Sequence, residues 1–331
     1  MKVSVVNAST DVYNLAVEKI ASYHRRLGDV VDAGPWNPMT AVEADKIYFS
    51  AVFTWDLQEM IRNVGLARTW GKEIELGGPA VTNMFNFVHS QTGIEPHRGL
   101  DDRFEKEPGS YQLSFSSRGC PNSKTCRFCA VNKLEPIALE YDDFTPAPML
   151  GDNNILATSW NHQEMVVDRL GEIPGKVDIN SGFDIRFFTK RHFAIYSKLK
   201  LAYWRFAFDT MENKEDVIRV GKFMRAQGLD RHQVMYYVLI GFPGTTPKDC
   251  LYRLQKVVDM GHMPYPMRFT PLNSLQQKYV AKGWTEDLLM KMQTFYQTPG
   301  LWMADSFENF KMGHNKKILA ARPLPGQGEL V

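Results

Sequence analysis

The chain has 331 residues, 44% of them hydrophobic, with 39 Lys and Arg against 37 Asp and Glu for a net charge of +2. That length allows one large domain or two modest ones, and the charge balance gives no electrostatic reason to expect a nucleic-acid partner. The opening "MKVSVVNAST" is too short and too polar for a secretory signal and no apolar run approaches a membrane span, so the expected setting is soluble and cytoplasmic.

The first elements alternate. "KVSVV" (2–6) is a β-branched run. "NLAVEKIASYHRRLGD" (14–29) repeats Ala16, Ile20, Tyr23 and Leu27 at helical spacing, with Gly28 placed to end the helix. "GPWNP" (34–38) reads as a loop. "DKIYFSAVF" (45–53) and "EIELGG" (73–78) read as buried strands, the second closing on a glycine pair. Alternation with apolar strands predicts a Rossmann-like parallel sheet over residues 1–88. The polar stretch 89–110 reads as a linker.

Beyond it the predicted strands are "YQLSFSS" (111–117), "NILATS" (154–159), "KVDINS" (176–181), "YWRFAFD" (203–209), "VMYYVLIGF" (234–242) and "MRFTPL" (267–272). Helical faces lie between them: Val166, Leu170 and Ile173; Val217, Val220 and Met224; Leu251, Leu254 and Val258. Six such repeats predict an α/β fold with a partial (β/α)6 TIM-type barrel over 111–273. Residues 274–331, with Trp284, Trp302, Phe307 and Phe310, read as a cap ending in a loose "RPLPGQGELV".

Three of the four cysteines lie in "SSRGCPNSKTCRFCAV", spaced Cys-x5-Cys-x2-Cys at Cys120, Cys126 and Cys129. In a reducing compartment such a group is a metal site rather than a set of disulfides. It follows the first barrel strand, on the face where barrel active sites sit. A zinc site needs a fourth ligand. Cys250 sits in an apolar helical context and reads as a core residue, and His162 follows the second predicted strand. The rival is a four-iron cluster held by three thiolates, with the fourth iron open to a substrate or cofactor.

On these residues the chain resembles the radical S-adenosylmethionine (SAM) superfamily, whose usual spacing is Cys-x3-Cys-x2-Cys. The blocks "CRFCAVNKLEP", "VDINSGFDIRFFT", "RFAFDT", "YYVLIGFPGTT" and "PYPMRF" are similar, in order, to those of a poorly characterised bacterial and phage group with a cobalamin-binding-like domain in front. The resemblance implies that Cys120, Cys126 and Cys129 hold a [4Fe-4S] cluster and that SAM completes it. It places Phe128 either on the adenine or in the core, and Ala157, Thr158 and Ser159 near the methionine amino group through their backbone. Asn161 is either a polar contact or a helix N-cap. Asn180 and Ser181 point to the same face, where Asp184 and Arg186 form either part of the site or a structural pair. Arg205 either reaches the SAM carboxylate or pairs with Asp209. Ile240 and Gly241 pass the adenine, unless Gly241 and Gly244 simply make a turn. An electron donor such as a flavodoxin or ferredoxin is implied, with an unknown substrate.

The expected chemistry is one-electron cleavage of SAM to a 5′-deoxyadenosyl radical that abstracts hydrogen. Base-off, His-on cobalamin domains carry Asp-x-His-x-x-Gly after the first strand, where this chain reads "NASTDVYNLAV". The missing histidine disfavours cobalamin. The rivals are cobalamin-dependent methyl transfer, a non-enzymatic zinc module and a nucleic-acid modifier using "YHRRLG" and "KRHF".

Overall fold

The computed structural model describes residues 1–122 and 126–313. The predicted tail "RPLPGQGELV" lies outside the described residues.

Four parallel strands open the chain: β1 (Lys2–Asn7), β2 (Val30–Gly34), β3 (Lys46–Ser50) and β4 (Glu73–Gly77), in the order β2-β1-β3-β4. Side chains alternate across this sheet. Val3, Val5 and Tyr48 pack with Val17 and Ile20 of helix Leu15–Arg26. Val6, Ile47 and Phe49 face the other way, onto Leu57, Met60 and Val64 of helix Leu57–Arg68. With both faces covered, the inner strands read as continuous apolar runs. The edge strand β2 is half-exposed, carries Asp32 and gives no such run. It therefore escaped the sequence reading, which began its loop at Gly34.

The stretch 89–110, expected as a linker, packs on this first unit. Helix Phe85–Thr92 buries Val88 in the first core. Helix Asp102–Glu105 sets Phe104 edge-on to Tyr23 and Tyr48, with ring centroids 5.1 and 6.0 Å apart. Glu107, almost fully buried, accepts from Arg26 Nε and Nη2 at 3.0 and 2.8 Å.

Among the described residues eight strands follow, six of them in two three-stranded parallel sheets. β5 (Leu113–Ser114) leads to an antiparallel hairpin, β6 (Ser117–Arg118) with β7 (Leu139–Glu140). Then come β8 (Met149–Leu150), β9 (Asp178–Ile179), β10 (Trp204–Ala207), β11 (Val234–Ile240) and β12 (Met263–Arg268). The orders are β5-β8-β9 and β10-β11-β12, joined by the bridge Val177–Leu201.

Two predicted strands move. The segment 154–159 is a 3-10 turn, Ile155–Ala157, and the strand is β8. Ile155 and Leu156 supplied the apolar signal, but they enter the core from a turn. β12 starts four residues before the predicted 267–272. Its Pro264 and Pro266 argue against a strand in sequence, yet an edge strand tolerates residues without an N–H. Trp284, Phe295, Phe307 and Phe310 of the C-terminal part bury in the same core as β10 and β11. The segment after β12 returns to the first unit, where Leu275 packs on its core and the Ser274 and Leu272 carbonyls accept from Thr54 and Asn83. No helix among the described residues is long and apolar enough to cross a membrane.

Candidate active site

Cys120, Cys126 and Cys129 are half-buried free thiols on the loop that follows the β6 strand. A turn closes Cys126 on Cys129, whose N–H donates to the Cys126 carbonyl at 2.9 Å. Burial pushes the Cys129 thiol up, opposed by the Val131 N–H on its sulfur at 3.4 Å. Both ends of the loop are pinned. Arg118, two residues before Cys120, donates to Glu135 at 3.1 Å and to Glu105 at 3.0 Å. Glu135 also accepts the Gly119 N–H at 3.2 Å. Gly119 has φ +72, and a Cβ there would lie 2.2 Å from the Ile137 carbonyl oxygen, so only glycine fits. Among the described residues no three His, Cys, Asp or Glu side chains gather as for a single metal ion.

A buried polar bolt lies beneath the loop. Asp152 accepts from the hydroxyls of Ser116 and Ser117 and from the Ser116 N–H, and His162 Nε2 stands 3.0 Å from Ser116 Oγ. It has the residue types of a hydrolase triad without the arrangement. Ser116 is fully buried, and the carboxylate binds the serine rather than His162 Nδ1.

Because strand β8 ends at Leu150, the residues at its carboxyl end are Gly151–Asn154. Asn154 Nδ2 stands 3.6 Å from Cys120 Sγ and donates to Asp184 Oδ2 at 3.0 Å. Asn153 accepts the Gly119 N–H at 2.8 Å. The sequence reading missed these residues; the turn-forming run "GDNN" was the available signal. Ala157, Thr158 and Ser159 instead lead into helix Trp160–Gly171, where Ser159 is the N-cap and binds Glu140. Asn161 is an exposed residue of that helix and not its cap.

Asn180 and Ser181 follow β9 and are exposed, with the Ser181 hydroxyl donating to the Gly151 carbonyl at 3.2 Å. Asp184 and Arg186 do pair, at 2.8 and 2.6 Å. The Asp184 carboxylate holds the Arg186 guanidinium charged, and the charges of Cys126 and Cys120 act the same way. Phe128 is half-buried, edge-on to Phe242 at 5.9 Å.

Arg205 is committed elsewhere. Its Nε and Nη2 grip Asp178 at 2.6 and 2.7 Å, and Nη1 donates to Tyr237 Oη at 2.8 Å. Its ion-pair partner is therefore Asp178, not Asp209. Asp209 accepts the Leu239 N–H at 2.9 Å. Ile240 is fully buried in the helix-side core with Tyr236 and Val238, the opposite face from Arg205 and Tyr237. Gly241 has φ +74, a turn conformation that favours glycine.

Burial pushes the Asp209 carboxyl up to about 6, against the pull of the Leu239 N–H and Arg253. A raised carboxyl pKa contributes stability below its unfolded value of 3.8, lost as pH rises through about 6. Asp209→Asn keeps the acceptor and loses the titration. Denaturant melts should show wild type losing stability relative to Asp209→Asn between those two pH values, with parallel curves above and below.

The first unit contributes a cavity of about 350 Å³, at the carboxyl ends of its strands. Asn14, Ser50, Gly77 and Thr82 line it from one side, Phe115, Arg118 and Glu135 from the other. In open parallel sheets ligands bind there, where the strand order reverses, and the reversal here falls between β1 and β3. Gly78 has φ +99, and a Cβ on it would meet the Ala51 carbonyl oxygen at 2.5 Å. A Cβ on Gly77 would stand in open space. Gly77 thus leaves open space beside it, while Gly78 is required by the close approach of the Ala51 backbone. His97, which also lines the cavity, spends Nε2 on the Leu100 carbonyl at 3.0 Å.

No protein-family model matches the chain, and comparison with curated proteins finds no match. Its fold resembles that of solved structures at low sequence identity. Two solved structures of the radical SAM methyltransferase TsrM from Kitasatospora setae share it. One, with cobalamin and a [4Fe-4S] cluster bound, has a TM-score of 0.59 at 11% identity, covering 82% of this chain and 77% of that one. The other, with tryptophan substrate and the SAM analogue aza-SAM, has a TM-score of 0.58 at 12% identity, covering 82% and 75%. This corrects the expectation that cobalamin is disfavoured. A protein of this fold binds it, so the missing Asp-x-His-x-x-Gly histidine does not by itself argue against cobalamin.

Proposed function

We propose that the chain is a cobalamin-dependent radical SAM methyltransferase, its six strands forming one arc of a partial barrel. The observation that carries this reading is the shared cavity. The strand ends of the first unit, at Ser50 and Gly77, face residues that flank the cysteine loop, Arg118 and Glu135. A corrin there would lie beside residues that flank the cluster loop. When bound, cobalamin supplies a metal able to take a methyl group from SAM and pass it on.

The chain's own residues then divide the work. Cys120, Cys126 and Cys129 hold the cluster and leave one iron open for SAM. Phe128 packs on the adenine. Gly151 and the exposed Asn180 and Ser181 border the SAM cleft, while the Asp178–Arg205–Tyr237 chain stiffens its floor. Gly77 leaves room for the corrin, and Asn14, Ser50 and Thr82 offer it polar contacts. An external one-electron donor of the flavodoxin or ferredoxin kind completes the system.

The test is anaerobic reconstitution with iron, sulfide and hydroxocobalamin, followed by gel filtration and reaction with methyl-labelled SAM. Stoichiometric corrinoid that becomes labelled supports methyl transfer. A cluster that cleaves SAM to 5′-deoxyadenosine with no corrinoid retained would return the function to radical hydrogen abstraction.

A further inference from the structure

Asn154 is more than nine-tenths buried, and its amide is held in one orientation. Asp184 Oδ2 only accepts, so the Nδ2 side must face it, at 3.0 Å. Asp184 is fixed in turn by Arg186, which grips both its oxygens at 2.8 and 2.6 Å. With one Nδ2 hydrogen on Asp184, the other is left for Cys120 Sγ at 3.6 Å. The amide oxygen, Oδ1, is buried and has no partner among the described residues. A buried acceptor without a donor is costly, and a leucine of similar size would avoid the cost. The arrangement makes sense if the N–H on sulfur is what the position is for.

We infer that Asn154 is a positioning residue for the cluster, setting its reduction potential through a hydrogen bond to the Cys120 sulfur, with Asp184 and Arg186 holding the amide in place. The inference rests on the cluster reading above. The physics is electrostatic: an N–H dipole with its positive end on a ligating sulfur stabilises the cluster more after it gains an electron than before. Arg186 adds a positive charge to the same side. The potential would be raised toward what a flavodoxin-type donor can supply.

The test is a redox titration of the reconstituted full-length protein, without SAM or corrinoid, followed by electron paramagnetic resonance. Asn154→Leu should shift the midpoint to a more negative potential at equal iron content, and Asn154→Ser, whose hydroxyl donates, should recover part of the shift. A merely structural role would change iron retention or melting temperature without moving the potential. If Asn154→Leu loads no iron, Asn154→Ala removes the donor without added bulk or charge and should lower the midpoint. A midpoint equal to wild type in the loaded variant overturns the inference alone. A wild-type protein that forms no redox-active four-iron cluster overturns it together with the cluster reading.

Discussion

Cys126→Ala is expected to abolish iron uptake and SAM cleavage while the chain stays folded. Three thiolates are the whole protein share of the proposed cluster, so removing one leaves two bonds to a cubane that exchanges its iron with solvent. The loss should be complete rather than graded. The fold should survive because Cys126 lies on a half-exposed loop and belongs to none of the hydrophobic cores. The melting temperature of the metal-free variant should stay within a few degrees of metal-free wild type. Cys250→Ala is the matched control. Cys250 is fully buried, and its sulfur lies 2.9 Å from Arg253 Nη2. Its replacement should cost about 1 kcal/mol of stability and leave iron content unchanged. Iron and sulfide analysis with thermal melts separates the two effects. One equivalent of zinc in wild type, with neither iron nor sulfide, would replace the cluster by a structural metal.

The second large effect divides the neighbouring glycines. Gly77→Phe should abolish corrinoid retention with little change in stability, because its Cβ meets nothing within 4 Å and its ring would fill the cavity. Gly78→Ala should instead destabilise the first unit by about 2–4 kcal/mol. Its φ of +99 is a region essentially reserved for glycine, and the added Cβ would strike the Ala51 backbone. Denaturant melts and corrinoid binding, measured on both variants, should give opposite patterns. A Gly77→Phe protein that still retains corrinoid would place the cofactor elsewhere, and the methyltransferase reading would lose its carrying observation.

These two pairs show where the sequence was informative. Three cysteines within ten residues are a local pattern, and so is a β-branched run ending in a glycine pair. Both could be read because every residue involved lies within one loop or one strand. The apolar runs of β1, β3 and β11 were legible for the same reason: they are buried on both faces, and burial shows directly as composition. β8 and β12 were not. β8 is two residues long after a proline-rich approach, and β12 carries two prolines that only its edge position permits. Misplacing β8 then carried the strand-end residues from Gly151–Asn154 to Ala157–Ser159.

Partner choice was the larger gap. Alternation placed Arg205 and Asp209 on one face, and both orientations of that face were consistent with the sequence. The tertiary structure gave Arg205 to Asp178, 27 residues earlier, and left Asp209 to a backbone N–H. Cobalamin was misjudged in a similar way. The sequence showed a missing histidine, but a cavity is made by residues far apart in the chain, here Ser50 and Gly77 meeting Arg118 and Glu135. By itself the sequence determined what is local: three of the four parallel strands of the first unit, the three-cysteine loop and the glycine turn. Only the tertiary structure decided which charges pair, where the second strand of the larger unit ends and that the two units share a cavity, because those depend on contacts between segments whose spacing in sequence carries no signal.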